Sequence, residues 1–420
     1  MAVVAAVALA VRLAYLWLGT WDLGPRSDAK QYLDLGRALS DGQGYVDVYP
    51  QLALHQTAFR PPGYPGVLGL VFTVTGPSYE AARYLNVVLG TAVVVATFLL
   101  VRRHLGPRAA AVTALLVAFI PNFLANDTYP LSDTLSMLLL VGVLWFLLER
   151  NWWASGLLLG ALVLTRPSAQ FLVVVAAIWL WHRIGWRTGW RPALGLTLIV
   201  AVCMGGWVVR NWVQVGEPVF VTSNGFNLAA RYSEPATDDD GFVDAQADPR
   251  FSDIALTIFK EAEWDRALRR LALDNIRDHP SVVPEVVWRN TTGFFEVGDA
   301  QLNDDAERVD GRNETVRDWT LWAFYPFAVA GTVALWLRRR LPLVGLAGVT
   351  AVYFFVVTVA FASPPRLRAP VELMWAIGIG ALFTVAADRS SVGDEPGEPG
   401  DPVGPGDPPE PTEPTEQVFV

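Results

Sequence analysis

The sequence predicts an all-α polytopic membrane protein with about ten transmembrane helices. Three observations carry that prediction. Hydrophobic residues make up 52% of the 420 residues and charged residues only 17%, a balance too apolar for an ordinary soluble domain. The apolar residues gather in runs near the length that crosses a bilayer. Many of the 17 tryptophans, such as Trp21, Trp152, Trp153, Trp186, Trp190, Trp207, Trp212, Trp319 and Trp322, cluster near the ends of those runs, where an amphipathic ring suits the headgroup layer.

In chain order, the runs at 3–18, 84–101, 109–123, 134–148, 152–165, 170–181, 193–209, 319–337, 341–361 and 369–386 read as spans. The first is expected to be a span and not a secretory signal, because Arg12 interrupts it and neither a basic leading region nor a small-residue cleavage site frames it. Arg12 lies deep in that run, a costly place unless it faces the bundle or water. The lone Cys203 permits no internal disulfide.

Loop charge sets the expected orientation. Arg102, Arg103 and Arg108, then Arg150, then Arg183, Arg187 and Arg191, then Arg338, Arg339 and Arg340 fall in alternate connections. Those connections, with both termini, are expected on the cytoplasmic side of the cell inner (plasma) membrane. The apolar run at 64–75 is too short to span and would invert this scheme if it did, so it reads as a re-entrant or interfacial helix.

Four parts result: an N-terminal transmembrane module at 1–210 that includes an external loop at 21–83, an external region at 211–318, C-terminal transmembrane helices at 319–387, and a tail at 388–420. An amphipathic helix is expected near 253–277, with Ile254, Ile258, Leu268, Leu271 and Ile276 on one side. The net charge of -9 belongs to the tail, where eight acidic and no basic residues lie between Asp394 and Val420, so -9 minus -8 leaves -1 for the rest. With Pro or Gly at nearly every second position, that tail is expected to be disordered and cytoplasmic. Nothing in the charge pattern points to nucleic acid.

Several polar residues of the outward connections can carry chemistry. The segment from Ser27 to Leu39 begins with a Ser-Asp pair and continues as a helix with Asp28 and Tyr32 on one face. A carboxylate there suits a general base toward a hydroxyl, or alternatively a helix cap. Pro61, Pro62 and Pro65 bracket Gly63 and Tyr64 and fix how the short apolar run enters the interface. Asp127 and Asp133 stand at the next outward turn, where they could join Asp28 around a divalent cation, or where Ser132 and Asp133 could cap the following span. His55, His104, His182 and His279 show no metal-ligand spacing.

The outward arginines run against the inward basic bias. Arg60, Arg166, Arg210, Arg366 and Arg368 each sit at a span end. Converging from different helices, they would hold the phosphate of a lipid leaving group through charge-assisted bonds. Taken singly, each could instead snorkel to headgroups.

These residues resemble the GT-C membrane glycosyltransferases, specifically the family 39-like group that includes protein O-mannosyltransferases and lipid A aminoarabinose transferases. The resemblance runs from about Val11 to Pro370. Its carriers are Asp28 with Tyr32, the stretch from Gly42 to Pro65, Arg83 and Asn86, the Asp133 turn, Arg166-Pro167, the Trp207 to Asn211 span end, Gly225 to Asn227, and Arg366 with Arg368. It implies a GT-C fold and a polyprenyl-phosphate sugar donor. It further implies an inverting displacement at an external site, with Asp28 as base and Arg366 or Arg368 with Arg210 on the phosphate. Asp133 is the second candidate catalytic carboxylate, and Tyr32, Tyr64, Asn211 and Asn227 are candidates for positioning the substrate. Ala29 stands where protein O-mannosyltransferases carry a second acidic residue. The expected partners are the lipid-linked donor, membrane lipid, and an acceptor on a cell-envelope glycan, lipid or protein. The alternative class is a transporter or flippase of lipid-linked envelope precursors, which would show inverted repeats or paired broken spans; polar residues concentrate outside the spans instead.

Overall fold

Backbone polar groups in hydrocarbon find no water, so an apolar run satisfies them internally as a helix. In a computed structural model, which describes residues 1–48, 53–238, 242–245, 248–251, 254, 260–297, 314–361 and 365–384, all ten expected runs contain helix. The chain begins with α1 (Ala2–Ala14), which continues through a wider turn at Tyr15–Gly19, and then α2 (Ser27–Ser40). A two-stranded antiparallel hairpin, β1 (Val46–Asp47) and β2 (His55–Gln56), leads to α3 (Gly63–Thr75). The central helices are α4 (Tyr79–Leu105), α5 (Pro107–Phe119), α6 (Pro121–Thr128), α7 (Asp133–Leu148), α8 (Trp152–Thr165), α9 (Leu172–Ile184) and α10 (Trp190–Val215). A region rich in short helices follows, with α11 (Asn224–Tyr232), α12 (Glu234–Asp238), α13 (Glu261–Asp278) and α14 (Val282–Phe294). The last helices are α15 (Glu314–Leu337), α16 (Pro342–Phe361) and α17 (Ala369–Gly380).

The count of full-length spans differs from the ten expected. Among the described residues six helical segments are long and apolar enough to cross a membrane, or seven if the bent pair α5 and α6 counts as one. Helices α7 and α8 have 16 and 14 residues, about 24 and 21 Å at 1.5 Å per residue, short of a hydrocarbon core of about 30 Å. The run at 109–123 is not straight, because Ile120 precedes Pro121 and is driven out of the helical region (φ -61°, ψ 120°). The chain turns there by 60°. The tail expected at 388–420 lies outside the described residues.

The main core gathers Val94 and Val101 of α4, Val117 of α5, Leu140 and Leu144 of α7, and Ile377 of α17. Inside it Arg12 is fully buried and has a partner that the sequence did not name. Its Nε donates to Asp127 Oδ2 at 2.8 Å, and Asp127 Oδ1 accepts from the Thr134 hydroxyl at 2.9 Å. Gly90 of α4 makes room for the pair: a Cβ there would overlap the Asp127 carboxylate and lie 2.7 Å from Arg12 Nε.

The amphipathic helix starts at Glu261, and its buried face is Trp264, Leu268 and Ala272, spaced at i, i+4 and i+8. Leu271, expected on that face, is exposed, and Ile258 lies outside the described residues. Trp264 stacks on Phe226 with ring centroids 5.9 Å apart, and both pack on Phe59. The region after α10 is thereby tied to the loop after α2.

A polar latch reinforces the tie. Glu261 is buried; its carboxylate accepts from the Thr57 hydroxyl at 2.7 Å, the Ala58 amide at 2.8 Å and the Thr222 hydroxyl. His55 Nε2 also meets Glu261 Oε2 at 2.8 Å, while Nδ1 meets the Ala53 carbonyl at 2.9 Å. Both partners are acceptors, so the ring satisfies both only as the imidazolium. Burial opposes that charge, but the bonds to Glu261 and Ala53, with Asp47 nearby, outweigh it and raise the His55 pKa.

Two outcomes are expected. Asp127→Asn leaves Arg12 buried without its counter-charge and should cost roughly 3–5 kcal/mol, seen as a large loss of thermal stability in detergent. Arg12→Met combined with Asp127→Leu should recover much of it; a single variant as stable as wild type would show that the pair supports nothing. For His55, the folded pKa lies above the ordinary 6.5, so the stabilisation is complete below 6.5 and fades as pH rises through the raised value. The melting temperature should therefore fall as pH rises from about 6.5 through the raised value, more steeply in wild type than in His55→Gln.

Candidate functional site

Helix α2 opens without a side-chain cap, after Arg26 in extended conformation. Asp28 in its first turn is therefore free to face outward from the helix end, and it lies between two arginines that arrive from distant parts of the chain. Its Oδ1 accepts from Arg60 Nη2, and its Oδ2 accepts from Arg366 Nη2 at 2.5 Å. Arg366 belongs to a tight turn, Pro365–Arg368, that starts α17. The three side chains keep 19%, 20% and 16% of their surface for Asp28, Arg60 and Arg366, enough for a ligand to reach them. Burial would raise the Asp28 pKa, but the two guanidinium charges and their hydrogen bonds hold the carboxyl well below the usual range.

Arg60 is fixed on its other sides. Its Nε donates to Gln31 Oε1 at 2.6 Å, and Gln31 Nε2 donates to Asp47 Oδ2 of β1 at 3.2 Å. Its guanidinium lies over the rings of Tyr32 and Phe59, 5.6 and 5.1 Å from their centroids. Gln31, three residues after Asp28, falls on the same helical face. It was not among the residues expected at the site, although its spacing was the signal.

Tyr32 meets the ring of Tyr64 edge-on at 5.2 Å, and its hydroxyl lies 3.1 Å from Ser132 Oγ. Tyr64 donates to Asn86 Oδ1 at 3.0 Å, and Asn86 Nδ2 donates to the carbonyls of Tyr129 at 2.6 Å and Leu131 at 3.1 Å. Beside Ser132, Asp133 is buried and paired with Arg166. Ser132 makes no side-chain cap bond to α7. Gly63 lets α3 begin against the end of α8, since a Cβ there would stand 2.8 Å from the Leu164 carbonyl. That contact brings Tyr64 to the neighbourhood of Arg166.

The five arginines expected on the outward side do not converge on one point. Arg210 lies against Tyr45 and Trp207, 5.4 and 4.9 Å from their ring centroids, and donates to the Thr57 and Tyr45 carbonyls and to Gln56 Oε1 at 2.5, 3.2 and 2.7 Å. It holds the hairpin. Arg368 is buried, paired with Glu296, bonded to Glu372 Oε1 at 2.6 Å and stacked 3.9 Å over Phe324. Asn211 donates to the Val219 and Phe220 carbonyls at 2.9 and 3.1 Å, and Asn227 is exposed on α11. Nor do Asp28, Asp127 and Asp133 gather around a common cation position, because each is already paired with arginine. Among the described residues no three His, Cys, Asp or Glu side chains form a metal-ligand group. A guanidinium takes the nearest carboxylate, and here the carboxylates were distributed with the arginines.

An apolar cavity of about 470 Å³ lies near the turn that carries Arg366. Leu116, Phe119, Phe324 and Phe327 line it, and Asn122 with Glu372 forms part of its polar lining. Asn122 Nδ2 donates to the Pro365 carbonyl at 3.1 Å and to Glu372 Oε2 at 2.8 Å, so the cavity and the turn share a wall.

Residues 59–208 match the sequence pattern of the family described as dolichyl-phosphate-mannose-protein mannosyltransferase. No curated protein matches the sequence. Among solved structures, the chain is similar to the oligosaccharyltransferase AglB of Archaeoglobus fulgidus in complex with an inhibitory peptide and a dolichol-phosphate, at 14% identity and a TM-score of 0.51, covering 90% of this chain and 49% of that one. The apo form of the A. fulgidus enzyme gives 13% identity and a TM-score of 0.52, with coverages of 90% and 50%. ArnT from Cupriavidus metallidurans bound to undecaprenyl phosphate gives 18% identity and a TM-score of 0.37, with coverages of 90% and 77%. This chain thus spans about half the length of the archaeal chain it matches. Its fold is the GT-C fold of these membrane proteins, and its residues 59–208 match the pattern described as dolichyl-phosphate-mannose-protein mannosyltransferase.

Proposed function

We propose that this chain transfers a sugar from a polyprenyl-phosphate-linked donor to an acceptor hydroxyl, with inversion, at the outer face of the cell inner (plasma) membrane. The carrying observation is the Asp28 carboxylate held between Arg60 and Arg366, which come from the loop after β2 and the turn before α17. In support, the structurally similar archaeal enzyme was captured with a dolichol-phosphate.

The chemistry needs a base and an anion site side by side. As the acceptor oxygen attacks the anomeric carbon, the bond from that carbon to the phosphate oxygen breaks and negative charge grows on the leaving lipid phosphate. Arg60 and Arg366 stabilise it. The hydroxyl proton passes to Asp28. Tyr32 flanks the sugar position with Ser132, the buried Tyr64 supports Tyr32 from behind, and Asp133 with Arg166 forms the adjoining wall. The apolar cavity behind the 365–368 turn accepts part of the isoprenoid chain. Arg210 and Arg368 act at one remove, by holding the hairpin that precedes Arg60 and the turn that carries Arg366.

The direct test is an assay of purified protein with labelled polyprenyl-phosphate sugars and envelope acceptors; no transfer to any acceptor would remove the proposal. Asp28→Asn should lower turnover roughly 10²- to 10⁴-fold without loss of folded protein. A variant that turns over normally would move the base to Asp133. Arg366→Ala should raise the donor concentration needed for half-maximal rate far more than that of the acceptor. For orientation, both termini are assigned to the cytoplasm: a cysteine at Gly44, in a background lacking Cys203, should react with an impermeant reagent from outside, and one at Gly106 should not. Labelling of the Gly106 cysteine from outside would put the site on the wrong face.

A further inference from the structure

Two anions draw on the same pair of guanidinium groups. One is the Asp28 carboxylate, which has each oxygen taken by a different arginine. The other is the phosphate of the proposed lipid-linked donor. We infer that the two compete, so that Asp28 is an internal counter-anion which the donor phosphate displaces from Arg60 and Arg366, and that this displacement is what makes Asp28 a base; the inference rests on the proposed donor.

The geometry leaves Arg60 little choice. Gln31 holds its Nε at 2.6 Å, and the rings of Tyr32 and Phe59 lie 5.6 and 5.1 Å from its guanidinium carbon. It cannot swing away to serve a phosphate elsewhere while keeping those contacts, so the phosphate must come to it. The edge that presents Nη2 already carries Asp28 Oδ1. Arg366 offers its own Nη2 to Oδ2 at 2.5 Å. The donor's phosphodiester carries one negative charge, as the carboxylate does, but planar guanidinium groups bind it in the same forked manner, and the lipid that anchors it contributes binding of its own. It therefore wins the exchange when the lipid seats it.

The exchange changes what Asp28 can do. Clamped between two cations, the carboxylate has a depressed proton affinity and no oxygen clear of a guanidinium, both adverse to taking a proton from a hydroxyl. With the phosphate seated on the arginines in its place, Asp28 loses its contacts with the opposite charges and gains a neighbouring like charge, and both raise its proton affinity. Donor binding thus precedes activation of the acceptor. The alternative is that Asp28 positions the two arginines for the phosphate, and it predicts the opposite sign: removal of the carboxylate would weaken the anion site.

The test uses the full chain in detergent with undecaprenyl phosphate, which contains the phosphate and the lipid but no sugar to transfer. Equilibrium binding is measured for wild type and for Asp28→Asn, Asp28→Ala and Asp28→Glu, with thermal unfolding of each to verify folding. Competition predicts that both neutral variants bind roughly tenfold more tightly than wild type, and that Asp28→Glu, which keeps the charge, does not. Binding of the folded neutral variants equal to or weaker than wild type overturns the inference while leaving the donor reading in place. Absence of undecaprenyl phosphate binding by wild type and neutral variants alike overturns the donor reading, and the inference falls with it.

Discussion

A guanidinium group cannot be left alone in a medium of low dielectric constant, and this constraint organises the protein. Removing an ion from water costs several kcal/mol even after relaxation, so Arg12, Arg83, Arg166 and Arg368 are tied to acceptors, whereas the buried Arg231 lies over the ring of Phe242. Arg12 is tied to Asp127, Arg166 to Asp133, and Arg368 to Glu372 and Glu296. Arg83 has no carboxylate but collects the carbonyls of Thr20, Trp21 and Thr128 at 2.7, 3.1 and 3.0 Å and lies over the rings of Trp21 and Tyr79. These ties join segments far apart in sequence. They fix where α1, α6, α7 and the 365–368 turn stand relative to one another.

The site depends on that fixing from both directions. On the side of α17, the bonds from Asn122 to Glu372 and to the Pro365 carbonyl set the turn that presents Arg366. On the side of α2, the hairpin sets Arg60, and Arg210 sets the hairpin through two carbonyls and Gln56. Glu261 closes the set by gathering Thr57, Ala58, Thr222 and His55 onto one carboxylate. Arg210 and Arg368, expected from the sequence to hold a ligand, are therefore engaged in holding the segments that carry Arg60 and Arg366. A precise anion site requires such support, since a guanidinium displaced by an ångström loses its forked geometry.

Among these pairs the one at Asp28 differs in composition. Elsewhere a buried arginine meets acceptors that are themselves locked, as Asp127 is by Thr134 and Glu372 by Asn122. At Asp28 two arginines share one carboxylate, and all three side chains remain partly accessible. That accessibility lets a further anion approach both guanidinium groups. In the proposed reaction, a base carboxylate and a phosphate site in direct contact would be compatible only if charge were redistributed as the substrate binds, and the shared arginines would supply the means.

The sequence alone determined the class of the protein, because apolar run length and the alternation of basic connections are local properties that the bilayer reads directly. It also determined that the short run at 64–75 does not reach the length of a span, and that Asp28 and Tyr32 share a helical face, since both follow from counting residues along one helix. Counting apolar residues could not see the 60° turn at Pro121, because apolar content does not report backbone direction. It placed five arginines at helix ends without showing which would meet. Only the tertiary structure decided that Arg60 and Arg366, 306 residues apart by their numbers (366 minus 60), reach the same carboxylate while Arg210 and Arg368 do not. Charge pairing is short-ranged and acts between whichever groups the fold brings within a few ångströms. A residue's type fixes its capacity for that interaction, and its neighbours in space fix its use.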